Sequence, residues 1–325
     1  MKATLELRQA VRPWIIKANA RVAIGVSGGA DSLALAAAIA LEARAASVEV
    51  IAVVVDHGLQ ENSELVADQA MQQLHNVGVT QVIIKRVQVE ISDGVEASAR
   101  RARYQAFEEV MAQFSPEFFF LAHTLNDQAE TVLLGLARGS GSKSLAGMQE
   151  VNGMYVRPLL AIDRATTEAV CAEQGLTPWQ DPHNDDPSYT RVRVRKEILP
   201  LMERLLGPGV TEALGRTAEI LREDVAALEE YAREFIAAHR GESDGYLIHD
   251  LLKLPKAVRI RVLREAIFEA GAPAGSLSAA HLAPVEALVT DWHGQGVVSL
   301  PGGVKVERIS GRLSVLNPLG GTAPR

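Results

Sequence analysis

Apolar residues along the first two thirds of the chain follow two rhythms. Short continuous runs rich in β-branched or aromatic residues begin at Arg21 ("RVAIGV"), Val48 ("VEVIAVVV"), Gln81 ("QVIIKRVQV"), Phe118 ("FFFLAH") and Met154 ("MYVRPLL"). Between them lie stretches of helical period, such as Val95, Ala99, Ala102, Ala106 and Val110 on one stripe. Continuous apolar runs suit strands covered on both faces, and their alternation with helices predicts βαβ units. The expected fold is α/β, a doubly wound parallel sheet of about five strands. In such sheets ligands gather at the carboxyl ends of the strands.

The rhythm changes near residue 206. Gly207-Pro208-Gly209 punctuates the chain, then Val210, Leu214, Ala218, Leu221, Val225, Leu228 and Phe235 recur at three- and four-residue steps. That spacing predicts a long amphipathic helix. Helical patterns over 257–270 and 279–291 follow, then two short strands around Pro301-Gly302-Gly303 and Gly311. The reading is a catalytic domain over 1–206 and a smaller, mostly helical domain with a short hairpin over 207–325.

Composition narrows the class. At 325 residues, 47% hydrophobic and 22% charged, the chain is an ordinary globular protein of about two domains. Its longest apolar run, Leu33–Leu41, is too short to span a bilayer. The opening "MKATLELRQAVRPWII" lacks a signal-peptide pattern. A single cysteine, Cys171, excludes an internal disulfide and any C-x-x-C site. These features predict a cytoplasmic protein with no membrane attachment. A net charge of −7 argues against a general nucleic-acid coat but leaves room for a local basic patch.

The most informative stretch is "AIGVSGGADSLAL" from Ala23. Gly25-Val26-Ser27-Gly28-Gly29 fits G-x-S-x-G, the elbow of a nucleophilic serine in α/β-hydrolases. That elbow borrows an oxyanion N–H from an earlier strand-to-helix loop, and here Ser27 ends the first strand. The alternative is an anion cradle. Gly28 and Gly29 let the backbone approach a phosphate, Ser27 and Ser32 add hydroxyls, and the following helix points its positive end at the ligand. Asp31 would repel a bare phosphate, so its presence suggests Mg²⁺ between carboxylate and phosphate. Neither a Walker A loop nor G-x-G-x-x-G occurs. The cradle explains more of the residues; the serine hydrolase remains a distant alternative.

SGGADS after an apolar strand resembles the pyrophosphate loop of the ATP-pyrophosphatase families, whose members split ATP between its α- and β-phosphates. Three further stretches narrow the match: "VDHGLQ" (55–60) after the second run, "EASARRARY" (96–104) opening a helix, and "HTLNDQAETVLLGLARGSG" (123–141) after the fourth. With "DPHNDDPSYTRVRVRKEILP" from Asp181, these resemble the tRNA(Ile)-lysidine synthetase family, in order, over roughly residues 21–205. The tail around "LPGG" resembles that family's first C-terminal domain, and the length suits the shorter form.

The resemblance implies a reaction. The C2 oxygen of the wobble cytidine in the CAU anticodon of tRNA(Ile) is adenylated by ATP with Mg²⁺. The ε-amine of L-lysine then attacks C2 and expels AMP. It also implies site residues. Ser27, Gly28, Gly29, Ala30, Asp31 and Ser32 would bind ATP, joined by Asp56 and His57 beside the nucleoside and by Arg103. His123, Asp127, Glu130 and Arg100 would be catalytic, with Asp31 and Asp127 at the metal. On a helix Asp127 and Glu130 share a face. Arg191, Arg193, Arg195 and Lys196 put four cations into six residues; such a run is usually a solvated helix face, and here the resemblance favours contact with tRNA. Gln60, Val192 and Lys196 depart from the family pattern, where arginine, asparagine and histidine are common, which bears on tRNA contact. A homodimer is compatible with the sequence.

Two relatives of the loop are alternatives: another tRNA-modifying enzyme or an amide-forming synthetase. Thiolation enzymes with paired cysteines do not fit one cysteine, and Met1-Lys2 offers no N-terminal catalytic cysteine for a glutamine-dependent synthetase.

Overall fold

The structure is a computed structural model and describes residues 1–58, 63–90, 94–139, 141–239, 245–273 and 275–316. Gln60 lies outside the described residues. All five apolar runs contain strands: β1 (Arg21–Val26), β2 (Glu49–Asp56), β3 (Gln81–Arg86), β4 (Phe119–Phe120) and β6 (Tyr155–Val156), with β5 (Val151–Asn152) between the last two. The sheet order is β3-β2-β1-β4-β6-β5. Every neighbouring pair is parallel except β5 with β6. The extra edge strand follows from Asn152-Gly153, a hairpin signal whose glycine has φ +60°.

The chain runs outward from β1 to β3, then returns to place β4 on the other side of β1. The order reverses between β1 and β4, so a crevice opens at their carboxyl ends. One sheet face is covered by α1 (Lys2–Lys17), α2 (Ala30–Ala46), α3 (Ser63–Asn76) and α7 (Arg164–Glu173). The other is covered by α4 (Val95–Phe114), through Phe107 and Val110 against Phe119 and Leu121. α2 is alanine-rich and buried along nearly all its length, as a helix packed between a sheet and other helices must be. Its buried Glu42 is paired with Arg8 and Arg12 of α1 at 2.6 and 2.9 Å. Gly25 is a packing residue: a Cβ there would meet the Phe107 ring at 2.7 Å.

After α5 (Leu125–Ala137) and α6 (Gly141–Leu145), a short α8 (Thr190–Arg193) passes through a π-helical turn, Val194–Ile198, into α9 (Leu199–Leu206). The long helix expected after the Gly-Pro-Gly is α10 (Val210–Ala238). The chain forms two compact units, Met1–Arg222 and Glu223–Arg325, so the division falls inside α10 rather than at residue 206. The reason is local packing. Glu203 accepts the N–H groups of Gly209, Val210 and Thr211, Leu214 packs against α5, and Arg222 donates to the Ala146 carbonyl.

The second unit holds α11 (Ile248–Lys253), α12 (Lys256–Glu269) and α13 (Ala279–Thr290). The hairpin near residue 300 is the centre of a four-stranded antiparallel sheet, ordered β7 (Tyr246–Leu247), β10 (Arg312–Leu316), β9 (Lys305–Ile309), β8 (Val298–Ser299). Its core includes Leu251, Val262, Leu288 and Val306, with a buried Arg259–Glu286 pair at 3.0 Å. Among the described residues no helix is long and apolar enough to cross a membrane.

Candidate active site

A cleft of about 1020 Å³ lies at the carboxyl ends of β1, β2 and β4. Its floor is the turn from β1 into α2. Gly28 takes φ +82°, a conformation that L side chains rarely adopt. The N–H of Trp179 donates to the Gly28 carbonyl at 2.9 Å, fixing the turn against the segment that follows α7. Gly29 caps α2 without a side-chain bond, and the first-turn amides of Ala30, Asp31 and Ser32 have no intrahelical acceptors. The Ser32 hydroxyl donates to the Gly29 carbonyl and accepts from the Ser27 N–H at 3.2 Å. Helix dipole, free amides and hydroxyls together make an anion site. Ser27 Oγ has Ser32 Oγ and the Gly29 N–H as its hydrogen-bond partners among the described residues.

Asp31 begins the acidic side of the cleft. Thr167 donates to its Oδ1 at 2.5 Å and Arg164 Nε lies 3.3 Å from Oδ2. Burial pushes its carboxyl pKa up against the lowering effects of Arg164 and Thr167. Asp127 has two tasks. Its Oδ2 accepts the N–H and hydroxyl of Thr124, closing a capping box on α5. Its Oδ1 lies 3.3 Å from Arg164 Nη2 and 3.3 Å from Arg195 Nη2. Burial would raise its pKa, but Arg164, the Thr124 N–H and Arg191 hold it below the usual carboxylate range.

Glu130 is fully buried and does not face the cleft. Its oxygens meet Arg191 Nε at 2.7 Å and Arg195 Nε at 2.6 Å. The basic run therefore splits. Arg191 and Arg195 turn inward as a clamp on Glu130 and are not a solvent-facing patch. Arg193 donates to the carbonyls of Pro187 and Ser188 and so holds its own loop. Lys196 is half-exposed, paired with Asp185, and lines the cleft with Arg195. Val192 is buried.

Arg100, Arg103 and His57 form the wall beside β2 and α4. Arg100 lies over the Tyr104 ring at 5.0 Å. Burial, then Arg103, pushes the His57 pKa down to about 4. Asp56 is buried and accepts the Gly58 N–H. His123 lines the cleft at the end of β4; burial depresses its pKa to about 4, and among the described residues its Nδ1 has no hydrogen-bond partner. Both imidazoles are neutral at pH 7.

Arg164 and Thr167 were missed by the motif reading. Their signal was position: "DRATTEA" opens α7, the helix after β6, with Asp163 as N-cap accepting from Thr166, at the same end of the sheet as the other site loops.

Comparison with known proteins identifies the family. The PP-loop domain family matches residues 1–202, and the TilS substrate binding domain matches 248–314. The tRNA(Ile)-lysidine synthase of Leifsonia xyli is 51% identical over 308 residues, covering 93% of this chain and 92% of that protein. The chain belongs to the tRNA(Ile)-lysidine synthase family. Other relatives of that name, from Streptomyces coelicolor and Thermobifida fusca, are 48% and 46% identical, covering 90% and 95% of this chain and 84% and 95% of theirs. A solved structure, the U34-tRNA thiolase NcsA from Methanococcus maripaludis with its [4Fe-4S] cluster, superposes with a TM-score of 0.57. It is 20% identical, covers 68% of this chain and 79% of that one, and speaks for the fold alone. In tRNA(Ile)-lysidine synthase terms, the PP-loop domain carries every cleft residue described above.

Proposed function

We propose that the chain is a ligase that makes lysidine in tRNA(Ile). ATP adenylates the C2 oxygen of the wobble cytidine of the CAU anticodon and pyrophosphate leaves. The lysine ε-amine then forms a C–N bond at C2 and releases AMP, which changes codon recognition from AUG to AUA. Kinship over nearly the whole chain with enzymes of that name carries the reading, and the phosphate cradle supports it.

In this reading the first-turn amides of α2, with Ser27 and Ser32, bind the phosphates of ATP. Asp56 and His57 lie beside the nucleoside. Arg100 and Arg103 balance charge that builds on the phosphates during adenylyl transfer. His123, held neutral by burial, hydrogen-bonds without adding charge. Glu130 acts through Arg191 and Arg195, whose inward placement argues against a primary role for those two on tRNA. Contact with tRNA is then assigned to Lys196, to the loop that Arg193 holds, and to the second unit, which carries the substrate binding domain.

The donor set fits Mg²⁺. Asp31 and Asp127 converge on one cation, the Arg164 guanidinium, at 3.3 Å each, and Mg²⁺ is commonly held by one or two carboxylates plus substrate phosphates. Asp31 and Asp127 would hold it, and the ion would offset phosphate charge. Sulfur transfer is disfavoured: Cys171 is buried, its thiol donates to the Ala30 carbonyl, and burial pushes its pKa up to about 11. ATP, free lysine and tRNA meet in the cytoplasm, which is where this enzyme would act. A homodimer is checked by its mass in solution.

The test is transfer of isotope-labelled lysine, with ATP and Mg²⁺, to tRNA(Ile) bearing a CAU anticodon. The label should resist mild alkali that strips aminoacyl esters. Sulfur or ammonia transfer, or pyrophosphate release without tRNA dependence, would overturn it.

A further inference from the structure

Two carboxylates approach each other in the cleft from opposite sides of the β1/β4 switch, Asp31 at the start of α2 and Asp127 at the start of α5. Two carboxylates brought together repel each other, and here one guanidinium reaches both. Arg164, on α7, places Nε 3.3 Å from Asp31 Oδ2 and Nη2 3.3 Å from Asp127 Oδ1. Among the described residues its guanidinium is tied to these two carboxylates alone. Arg191 and Arg195 are different, since both are anchored on Glu130. The α7 backbone also fixes Arg164, because its N–H donates to Asn126 Oδ1 of α5 at 2.9 Å.

From this geometry we infer that Arg164 is a positioning residue that serves as an internal counter-ion. It holds Asp31 and Asp127 in register while the cleft is empty and must yield to the divalent cation that arrives with ATP. A guanidinium already pairing both carboxylates competes with a free metal ion for the same oxygens. A metal ion bound to ATP brings phosphate oxygens as further ligands, and the phosphates offer the displaced guanidinium new acceptors. The carboxylate pair therefore selects the metal–nucleotide complex over the free ion. This rests on the assignment of Asp31 and Asp127 to the cation made above.

The test is Mn²⁺ binding to the full chain, read by electron paramagnetic resonance without turnover. Three conditions are compared: protein alone, protein with an α,β-methylene ATP analogue, and Arg164→Gln without nucleotide. Wild-type protein alone should bind Mn²⁺ weakly, and the analogue should tighten binding. Arg164→Gln should bind free Mn²⁺ about tenfold more tightly than wild type, because the carboxylate pair has lost its competitor. Adding Asp31→Asn to Arg164→Gln should remove that gain. Wild-type protein that binds free Mn²⁺ as tightly as it does with the analogue would overturn the inference, and this needs no variant to fold. Arg164→Gln binding no tighter than wild type, with native circular dichroism, would also overturn it. Failure of the underlying cation assignment reads differently: Asp31→Asn and Asp127→Asn would each leave Mn²⁺ affinity with the analogue unchanged.

Discussion

The burial of Glu130 makes a sharp prediction. A carboxylate acting on substrate would be replaceable by an amide at a cost in activity alone. Glu130 instead sits between two guanidiniums at 2.6 and 2.7 Å, with no exposed surface of its own. In Glu130→Gln one oxygen becomes an NH₂ that must face an Arg Nε–H, donor against donor. The surroundings also lose charge balance, since Asp31, Asp127 and Glu130 face Arg164, Arg191 and Arg195. A hydrogen bond to a charged group contributes about 1.5–3 kcal/mol, and breaking a fully buried ion pair costs about 3–5 kcal/mol. The two arginines retain about a third of their side-chain exposure, so water relieves part of the penalty and we expect about 2–3 kcal/mol. The assay is amide hydrogen exchange across α5 and residues 190–206. A loss of that size corresponds to exchange roughly 30- to 150-fold faster there, with β1–β3 little changed. Unchanged exchange in both segments, with activity lost, would refute the clamp and return Glu130 to direct chemistry.

Other expectations follow from neighbouring groups. Asp31→Asn should abolish pyrophosphate release with the fold intact, whereas Ser27→Ala should lose activity only in part; labelling of Ser27 by a fluorophosphonate would contradict the cradle. Arg195→Ala should impair ATP-dependent adenylation, while Lys196→Ala should spare ATP affinity and flatten the log–log salt slope of tRNA binding by about 0.7–0.9; equal effects of the two on tRNA alone would count against the inward placement of Arg195. For His57, with a pKa of about 4 when folded and about 6.5 when unfolded, the unfolded chain binds the extra proton between those values. Its contribution to stability is therefore present above about pH 6.5 and lost as pH falls toward 4, and the raised carboxyl of Asp31 works in the opposite sense. His57→Gln should flatten the fall in denaturant midpoint over that window.

The parts of the molecule visible in the sequence are those encoded by contiguous residues. The five parallel strands announced themselves as apolar runs because a doubly covered sheet needs them. The phosphate turn did so because its glycines, serines and aspartate occupy one helix start. What stayed hidden was direction. Arg191 and Arg195 are four apart and so share a face, but nothing in their spacing says that the face meets Glu130 rather than solvent. The π-helical turn that begins at Val194 also has no composition signal. Arg164 was hidden for another reason: it lies 133 residues beyond Asp31, and an ion pair at that separation exists through topology alone. Gly207-Pro208-Gly209 is a glycine-rich break that marks the end of a helix, not the end of a core: the compact first unit runs on to Arg222.

That same separation bears on how the protein is made. A ribosome delivers the cradle first, β1 and the start of α2, when Asp31 has no Thr167 or Arg164 to meet. Asp127 emerges later, and the arginines that balance it later still. A partly synthesised chain thus holds a glycine-rich turn beside a lone aspartate, without the cations that complete the cleft. Competence to activate ATP is the last property the first unit acquires, so unfinished chains are poorly equipped to consume nucleotide.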